Sequence, residues 1–202
     1  TLFRLLTGDS TVATYSSGTK QGWGSALSKY LVSGAKVTNL AAGGRSTKTY
    51  ISEGLWKKAV AQKANYVFIQ FGHNDQSKKH TSANTTYKSN LRRMISDVKK
   101  YGGTAVIVSP TRRLKFESSN RMSSELSPFA TAAREVAAEE KVPFIHLHEA
   151  SKNTYVKMGE SQSLKYFVSG DRTHTNSKGA SLLASLVADE CEKDSVLKKL
   201  IK

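Results

Sequence analysis

Leu2-Phe3-Arg4-Leu5-Leu6-Thr7-Gly8-Asp9-Ser10 carries a short apolar run straight into a polar turn, and that junction decides the fold. Residues 1–6 are too short a run for a helix and are bounded by turn residues, so they read as a buried first strand. The same signature returns at residues 36–40, 66–71, 104–109 and 143–146. Between these runs lie amphipathic stretches with helical spacing at 22–32, 53–63, 85–101 and 125–140. Further helices are predicted at 151–158, 177–192 and 195–200, and Tyr101-Gly102-Gly103 reads as a helix stop before the fourth strand. Strands alternating with helices of this length predict an α/β protein. The expected architecture is a three-layer α/β/α sandwich on a parallel sheet of about five strands, one domain over residues 1–202.

Right-handed crossovers deliver the C-terminal end of every parallel strand to one edge, where ligands of open α/β sheets bind. The segments at that edge are Thr7-Gly8-Asp9-Ser10, Ala42-Gly43-Gly44-Arg45-Ser46, Gly72-His73-Asn74-Asp75 and Pro110-Thr111-Arg112-Arg113. Each is small, polar or charged rather than a plain turn, so together they locate a site. Ser10 at a strand end suits a nucleophile whose own amide helps hold an oxyanion, although Asp and Ser are also common turn and capping residues. Gly43-Gly44 lets the backbone approach a ligand, or simply turns. Asn74 can aim its side-chain NH₂ at developing negative charge, while His73 reads as a structural, hydrogen-bonded histidine.

Asp171-Arg172-Thr173-His174 stands just before the helix predicted at 177. It places a carboxylate and an imidazole on one short loop, where both can turn toward one serine. The imidazole would take the serine proton and the carboxylate would orient the ring. The plainer alternative is a helix cap beside an exposed histidine. His80, His146 and His148 have no comparable setting, and no acidic cluster joins them to form a metal site.

Composition narrows the classes further. The 202 residues are 38% hydrophobic and 23% charged, as in an ordinary globular chain with a sizeable core. No apolar run approaches the ~20 residues that cross a bilayer, and no signal-peptide pattern is visible. A cytosolic protein or a mature secreted one fits. Cys191 stands alone and reads as a small buried hydrophobe, excluding an intrachain disulfide or a thiolate metal cluster. Asn84-Thr85-Thr86 is a single sequon. Lys plus Arg total 31 against 16 for Asp plus Glu, a formal charge of +15 that draws in polyanions.

Gly8-Asp9-Ser10-Thr11, Gly44, Gly72-His73-Asn74-Asp75 and Asp171-Arg172-Thr173-His174 resemble, in order, the four sequence blocks of the GDSL or SGNH hydrolase family. With Val12, Gly22-Trp23-Gly24 and Ala42-Gly43-Gly44-Arg45-Ser46 added, the chain looks most like rhamnogalacturonan acetylesterases and related carbohydrate acetylesterases. The resemblance implies a flavodoxin-like sheet and a Ser10, His174 and Asp171 triad. It also implies an oxyanion hole from the Ser10 amide, the Gly44 amide and the Asn74 side chain, with no cofactor and no metal. Thr11 departs from the Leu of the four-letter family name, as is common in the acetylesterase subgroup.

The loops at 73–84 and 110–125 look short, which implies an open groove suited to a polymer. Arg45, Arg112, Arg113 and Arg172, with Lys48, Lys78, Lys79 and Lys115, fall on the catalytic edge as a candidate cationic rim. Arginine pairs carboxylates in bidentate fashion, so the expected substrate is an acetylated, anionic polysaccharide such as pectin. Acetylated xylan, a broad range of small acyl esters, and a non-catalytic polyanion-binding role are the alternatives. Neither nucleic acid nor membrane is an expected partner, and a secreted monomer is expected. Trp23 and Trp56 fall in helical patterns and read as core.

Overall fold

The computed structural model describes residues 2–202, so the first residue of the predicted opening strand lies outside the described residues. The strands, in chain order, are β1 (Phe3–Gly8), β2 (Lys36–Asn39), β3 (Tyr66–Gln70), β4 (Thr104–Val108), β5 (Phe116–Ser118), β6 (Arg121–Met122) and β7 (Phe144–Ile145). The helices are α1 (Thr47–Ser52), α2 (Leu55–Ala61), α3 (His73–Ser77), α4 (Lys88–Lys100), α5 (Ser127–Glu139), α6 (Leu147–Met158), α7 (Glu160–Ser163) and α8 (Ser177–Glu192). Five strands form one parallel sheet in the order β2-β1-β3-β4-β7, and β5 and β6 make a separate antiparallel hairpin.

Every central strand is apolar on both faces because helices cover both sides. Leu6, Phe68, Val106 and Val108 turn to one face and pack with Trp23, Leu27, Tyr155, Leu183 and Val187. Leu5, Val67, Ile69, Ala105 and Ile107 turn to the other and pack with Trp56, Leu91, Met94, Ile95, Val98 and Val136. Trp23 and Trp56 are thus core residues, and Cys191 is buried with the first group. The sheet order reverses between β1 and β3, and that crevice is where open α/β sheets take their ligands.

Several elements differ from the sequence expectation. Residues 22–32 are not an α-helix but two 3₁₀ turns, Trp23–Ser25 and Leu27–Tyr30. The reason is a competing set of partners. Gly22, Trp23 and Gly24 donate their backbone N–H groups to Ala13 O, Thr11 O and Val12 O at 2.8, 2.9 and 3.1 Å. The segment therefore braces the chain just after β1, and its internal bonds are the short i→i+3 ones of the two turns. The helix expected at 85–101 begins with a π-helical turn, Ala83–Tyr87, before α4, and α6 starts four residues before the expected 151, at Leu147. The 195–200 segment closes in a 3₁₀ turn, Lys198–Leu200.

Candidate active site

The four edge segments converge at the crevice. Ser10 opens the turn after β1, and its Oγ lies 3.0 Å from His174 Nε2. His174 Nδ1 lies 2.7 Å from Asp171 Oδ2, which fixes the tautomer with Nδ1–H donating and leaves Nε2 as the acceptor for Ser10. Asp171 Oδ1 accepts the Thr173 and His174 amides at 2.7 and 3.0 Å. Burial works against the charged Asp171, but those amides and the His174 ring outweigh it and hold the carboxyl below the usual range. Asp171 is thus held as a carboxylate beside the His174 ring.

Two neighbouring loops approach Ser10: the one with Gly43-Gly44, where a Cβ on Gly43 would stand 3.7 Å from Ser10 Cβ, and the one with Asn74, which lines the same cleft. Among the described residues, neither the Ser10 amide nor the Gly44 amide donates to another protein group, and Asn74 spends one Nδ2 hydrogen on Arg45 O at 3.2 Å. Gly44 has φ +75°, a left-handed conformation that favours glycine and sets this loop's path. The two loops are stitched together. Lys78 Nζ donates to Gly44 O at 2.6 Å, and Thr47 donates to the buried Asp75 through both its amide and its hydroxyl. Ser46 Oγ meets His80 Nδ1 at 2.8 Å. A serine, a histidine and a carboxylate in hydrogen-bonded series, beside two unspent amides and the second Asn74 Nδ2 hydrogen, have the parts that acyl transfer requires.

The chain matches the model of the GDSL-like lipase/acylhydrolase family over residues 6–182. It belongs to that family. It is 36% identical to a "probable rhamnogalacturonan acetylesterase" of Bacillus subtilis, covering 91% of this chain and 89% of the relative. A second rhamnogalacturonan acetylesterase of Bacillus subtilis is 31% identical over 93% of this chain and 88% of its own length. Among solved structures, a Bacillus subtilis protein, YxiM, superposes with a TM-score of 0.86 at 27% identity. That match covers 95% of this chain, which spans only 56% of the solved one. An acetylxylan esterase of Geobacillus stearothermophilus superposes with a TM-score of 0.73 over 95% of this chain and 93% of its own, at 16% identity, a likeness of fold. This GDSL-family chain is a carboxylic ester hydrolase.

The cleft at Ser10 holds about 450 Å³ and is lined by Ser10, His73, Asn74, Gln76, Ser77, Arg113, Glu125, Thr173 and His174. Part of its lining comes from the two loops expected to be short: residues 73–77 coil into α3, and Arg113 and Glu125 stand on either side of the β5–β6 hairpin, which itself does not line the cleft. Beneath Ser10 lies a buried polar chain that sequence reasoning missed. Trp23 Nε1 donates to Gln70 Oε1 (2.8 Å), Gln70 Nε2 to Thr11 Oγ1 (2.5 Å), and Thr11 Oγ1 to Asp9 Oδ1 (2.7 Å). Its signal was a glutamine inside an otherwise apolar strand. His73 is buried, but it is not the hydrogen-bonded histidine expected: neither ring nitrogen makes a hydrogen bond among the described residues, and Nδ1 faces Asp9 Oδ2 at 3.6 Å.

The cationic rim is largely answered by carboxylates. Arg45 pairs with Glu53 at 2.9 Å, Arg113 with Glu125 at 2.9 Å, and Arg172 with Glu160. Of the four candidate arginines only Arg113 lines the cleft, where Nη1 also donates to Gln76 Oε1 at 2.9 Å. Arg112 does not reach the rim at all. Adjacent residues of an extended segment face opposite ways, and its guanidinium is buried, donating to Ser123 O and lying 3.6 Å from Glu149.

A smaller cavity of about 120 Å³ opens beside β7, lined by Ser109, Ser127, Arg134, Phe144, His146, His148 and others. It holds a second serine–histidine contact, Ser127 Oγ to His148 Nε2 at 3.3 Å. There the Pro110 carbonyl stands where a carboxylate would orient the ring, and the Ser127 amide is spent on Ser124 O. That arrangement lacks both parts the main cleft has. Among the described residues, no three His, Cys, Asp or Glu side chains gather to hold a metal, and no helix is long and apolar enough to cross a membrane.

Proposed function

We propose that this protein is a serine acetylesterase of plant cell-wall polysaccharide, removing O-acetyl groups from acetylated rhamnogalacturonan or a related pectin. The observation that carries the reading is the Ser10–His174–Asp171 relay at 3.0 and 2.7 Å, set beside amides that have no other partner. Identity above 30% to two rhamnogalacturonan acetylesterases supports the polymer.

The reaction follows from those atoms. Ser10 Oγ attacks the acetyl carbonyl carbon as its proton passes to His174 Nε2. Negative charge gathers on the carbonyl oxygen, which the Ser10 amide, the Gly44 amide and Asn74 Nδ2 hold. The imidazolium is stabilised by Asp171 and returns the proton to the departing sugar oxygen. Water, deprotonated by His174, then attacks the acetyl-Ser10 ester; acetate leaves and Ser10 regains its proton. A polymer of this kind is met outside the cell, so the protein acts as a secreted enzyme.

The test is acetate release from acetylated rhamnogalacturonan and acetylated xylan in parallel, with Ser10→Ala as control. Faster release from the pectic polymer, abolished in Ser10→Ala, is the expected result. Preference for xylan overturns the substrate and leaves the triad standing. Undiminished release by Ser10→Ala overturns the triad.

A further inference from the structure

Part of the cleft lining has no task in acyl transfer: Gln76 on α3, and Arg113 and Glu125 flanking the β5–β6 hairpin. Arg113 ties these side chains together. Its Nη1 donates to Gln76 Oε1 and to Glu125 Oε1, both at 2.9 Å, and its Nη2 donates to His73 O at 3.2 Å. Glu125 Oε2 also accepts from Lys115 Nζ at 3.3 Å. The Arg113 side chain is 16% exposed against 27% for Glu125, so the arginine is the strut and the carboxylate is the group more open to solvent.

The strut decides what its neighbours can offer. A guanidinium only donates, so Gln76 turns its carbonyl oxygen to Arg113 and keeps its NH₂ for other partners. Among the described residues that NH₂ donates to nothing, and it is not one of the buried atoms left unpaired, so it is open to solvent where Gln76 lines the cleft. Glu125 supplies the complementary group. Burial works against its charge, but Arg113 and Lys115 outweigh burial and hold the carboxyl below the usual range. A carboxylate oxygen accepts more than one hydrogen bond, so each oxygen keeps capacity beyond its one cation. A fixed donor and a charged acceptor on one guanidinium suit the hydroxyls of a sugar. A uronate entering there would find the Nη1 of Arg113 already engaged and would meet Glu125 as a like charge.

We propose that Gln76 and Glu125 form a subsite for a neutral sugar unit of the polymer, the Gln76 NH₂ donating to and the Glu125 carboxylate accepting from its hydroxyls, and that Glu125 turns a uronate away from this position. The inference rests on the reading of the cleft as that of a polysaccharide acetylesterase. In rhamnogalacturonan the unit held there is rhamnose, and the neighbouring galacturonate lies outside the subsite. Glu125 is thus a specificity-determining residue: it selects the register in which an alternating chain enters the cleft.

The test compares acetylated rhamnogalacturonan, where neutral rhamnose alternates with galacturonate, with acetylated polygalacturonate, where every unit is a uronate. Each variant's turnover of a small aryl acetate is measured alongside, so that damage at Ser10 is read separately. The wild type should have the lower KM on the alternating polymer; a lower KM on polygalacturonate overturns the inference. Glu125→Gln keeps the shape, removes the like charge and frees Arg113 and Lys115. Its KM should rise about 10-fold on rhamnogalacturonan, as for a lost hydrogen bond to a charged group, and fall on polygalacturonate. Loss of a merely structural ion pair would impair both polymers alike, so a KM that moves the same way on both, or on neither, overturns the inference. Gln76→Leu should raise KM on rhamnogalacturonan several-fold with no gain on polygalacturonate, and an unchanged KM overturns it as well. Wild-type protein that cleaves the aryl acetate but neither polymer removes the polysaccharide reading, and this inference with it. Polymer deacetylation with an unaltered preference in Glu125→Gln removes only the role of Glu125.

Discussion

Asn74 is positioned by a single bond, its Nδ2 to Arg45 O, and keeps one hydrogen for the cleft. Asn74→Ala should therefore lower kcat on an aryl acetate by about 10²–10³-fold with little change in KM, the usual size for one lost oxyanion donor. Urea unfolding should move by less than about 1 kcal/mol, since the lost bond is half-buried rather than deep in the core. Steady-state kinetics beside a denaturation curve separates these effects. The residues that the structure gathers at the cleft were legible because they are polar residues standing where a strand end would otherwise carry a plain turn. Those that act from below were not. Gln70 sits in a strand that is buried throughout, and only the fold brings it between Trp23 and Thr11.

The strands of the sheet could be read from the chain because an apolar run of four to six residues has few alternatives in a chain of this length. The segment after β1 could not. Gly22-Trp23-Gly24 has the composition of a helix start, and nothing local reveals that its N–H groups belong to residues 11–13. The glycines make this close pairing possible. A Cβ on Gly24 would stand 2.5 Å from both Val12 O and Asn39 Nδ2, the two groups whose 2.8 Å hydrogen bond ties β2 to the turn that carries Ser10. Gly24→Ala should cost about 1–3 kcal/mol by overpacking and lower kcat as well, because the strain falls on the chain two residues beyond Ser10. Differential scanning calorimetry with aryl acetate turnover checks it; unchanged stability would mean that the brace gives way without loss.

At the scale of the whole molecule, pH acts first through His148. Burial, with Arg112 adding repulsion, pushes its imidazole down to about 4, while Glu149 and the bond to Pro110 O oppose this only in part. The folded state keeps this ring neutral, and the unfolded chain takes up a proton near the ordinary 6.5. Stability from this group is whole above about pH 6.5, declines as pH falls, and is gone below the folded value of about 4. Between pH 7.5 and 5 the loss should be about 2 kcal/mol by urea unfolding. His148→Gln should flatten that slope whatever its effect at pH 7.5.

Charge is the other property that belongs to the whole molecule, and here the structure shifts the argument away from the rim. Thirty-one basic side chains against 16 acidic ones leave +15, yet Arg45, Arg113 and Arg172 are each held by a glutamate. Paired arginines offer a uronate little local affinity unless the glutamate yields, so attraction for a polyanion has to come from the summed field of the exposed lysines. A summed field is screened over about 8–10 Å at physiological salt, whereas a buried contact is not. Raising salt should increase the apparent KM on a pectic polymer several-fold and leave KM on a neutral aryl acetate unchanged. Arg113→Gln, the arginine lining the cleft, separates the two sources. If the field dominates, the variant keeps most of the salt response; if Arg113 itself holds a uronate, KM on the polymer rises at every salt concentration and the response shrinks. Equal salt responses on polymer and aryl acetate would leave the charge as a property of the surface with no part in substrate capture.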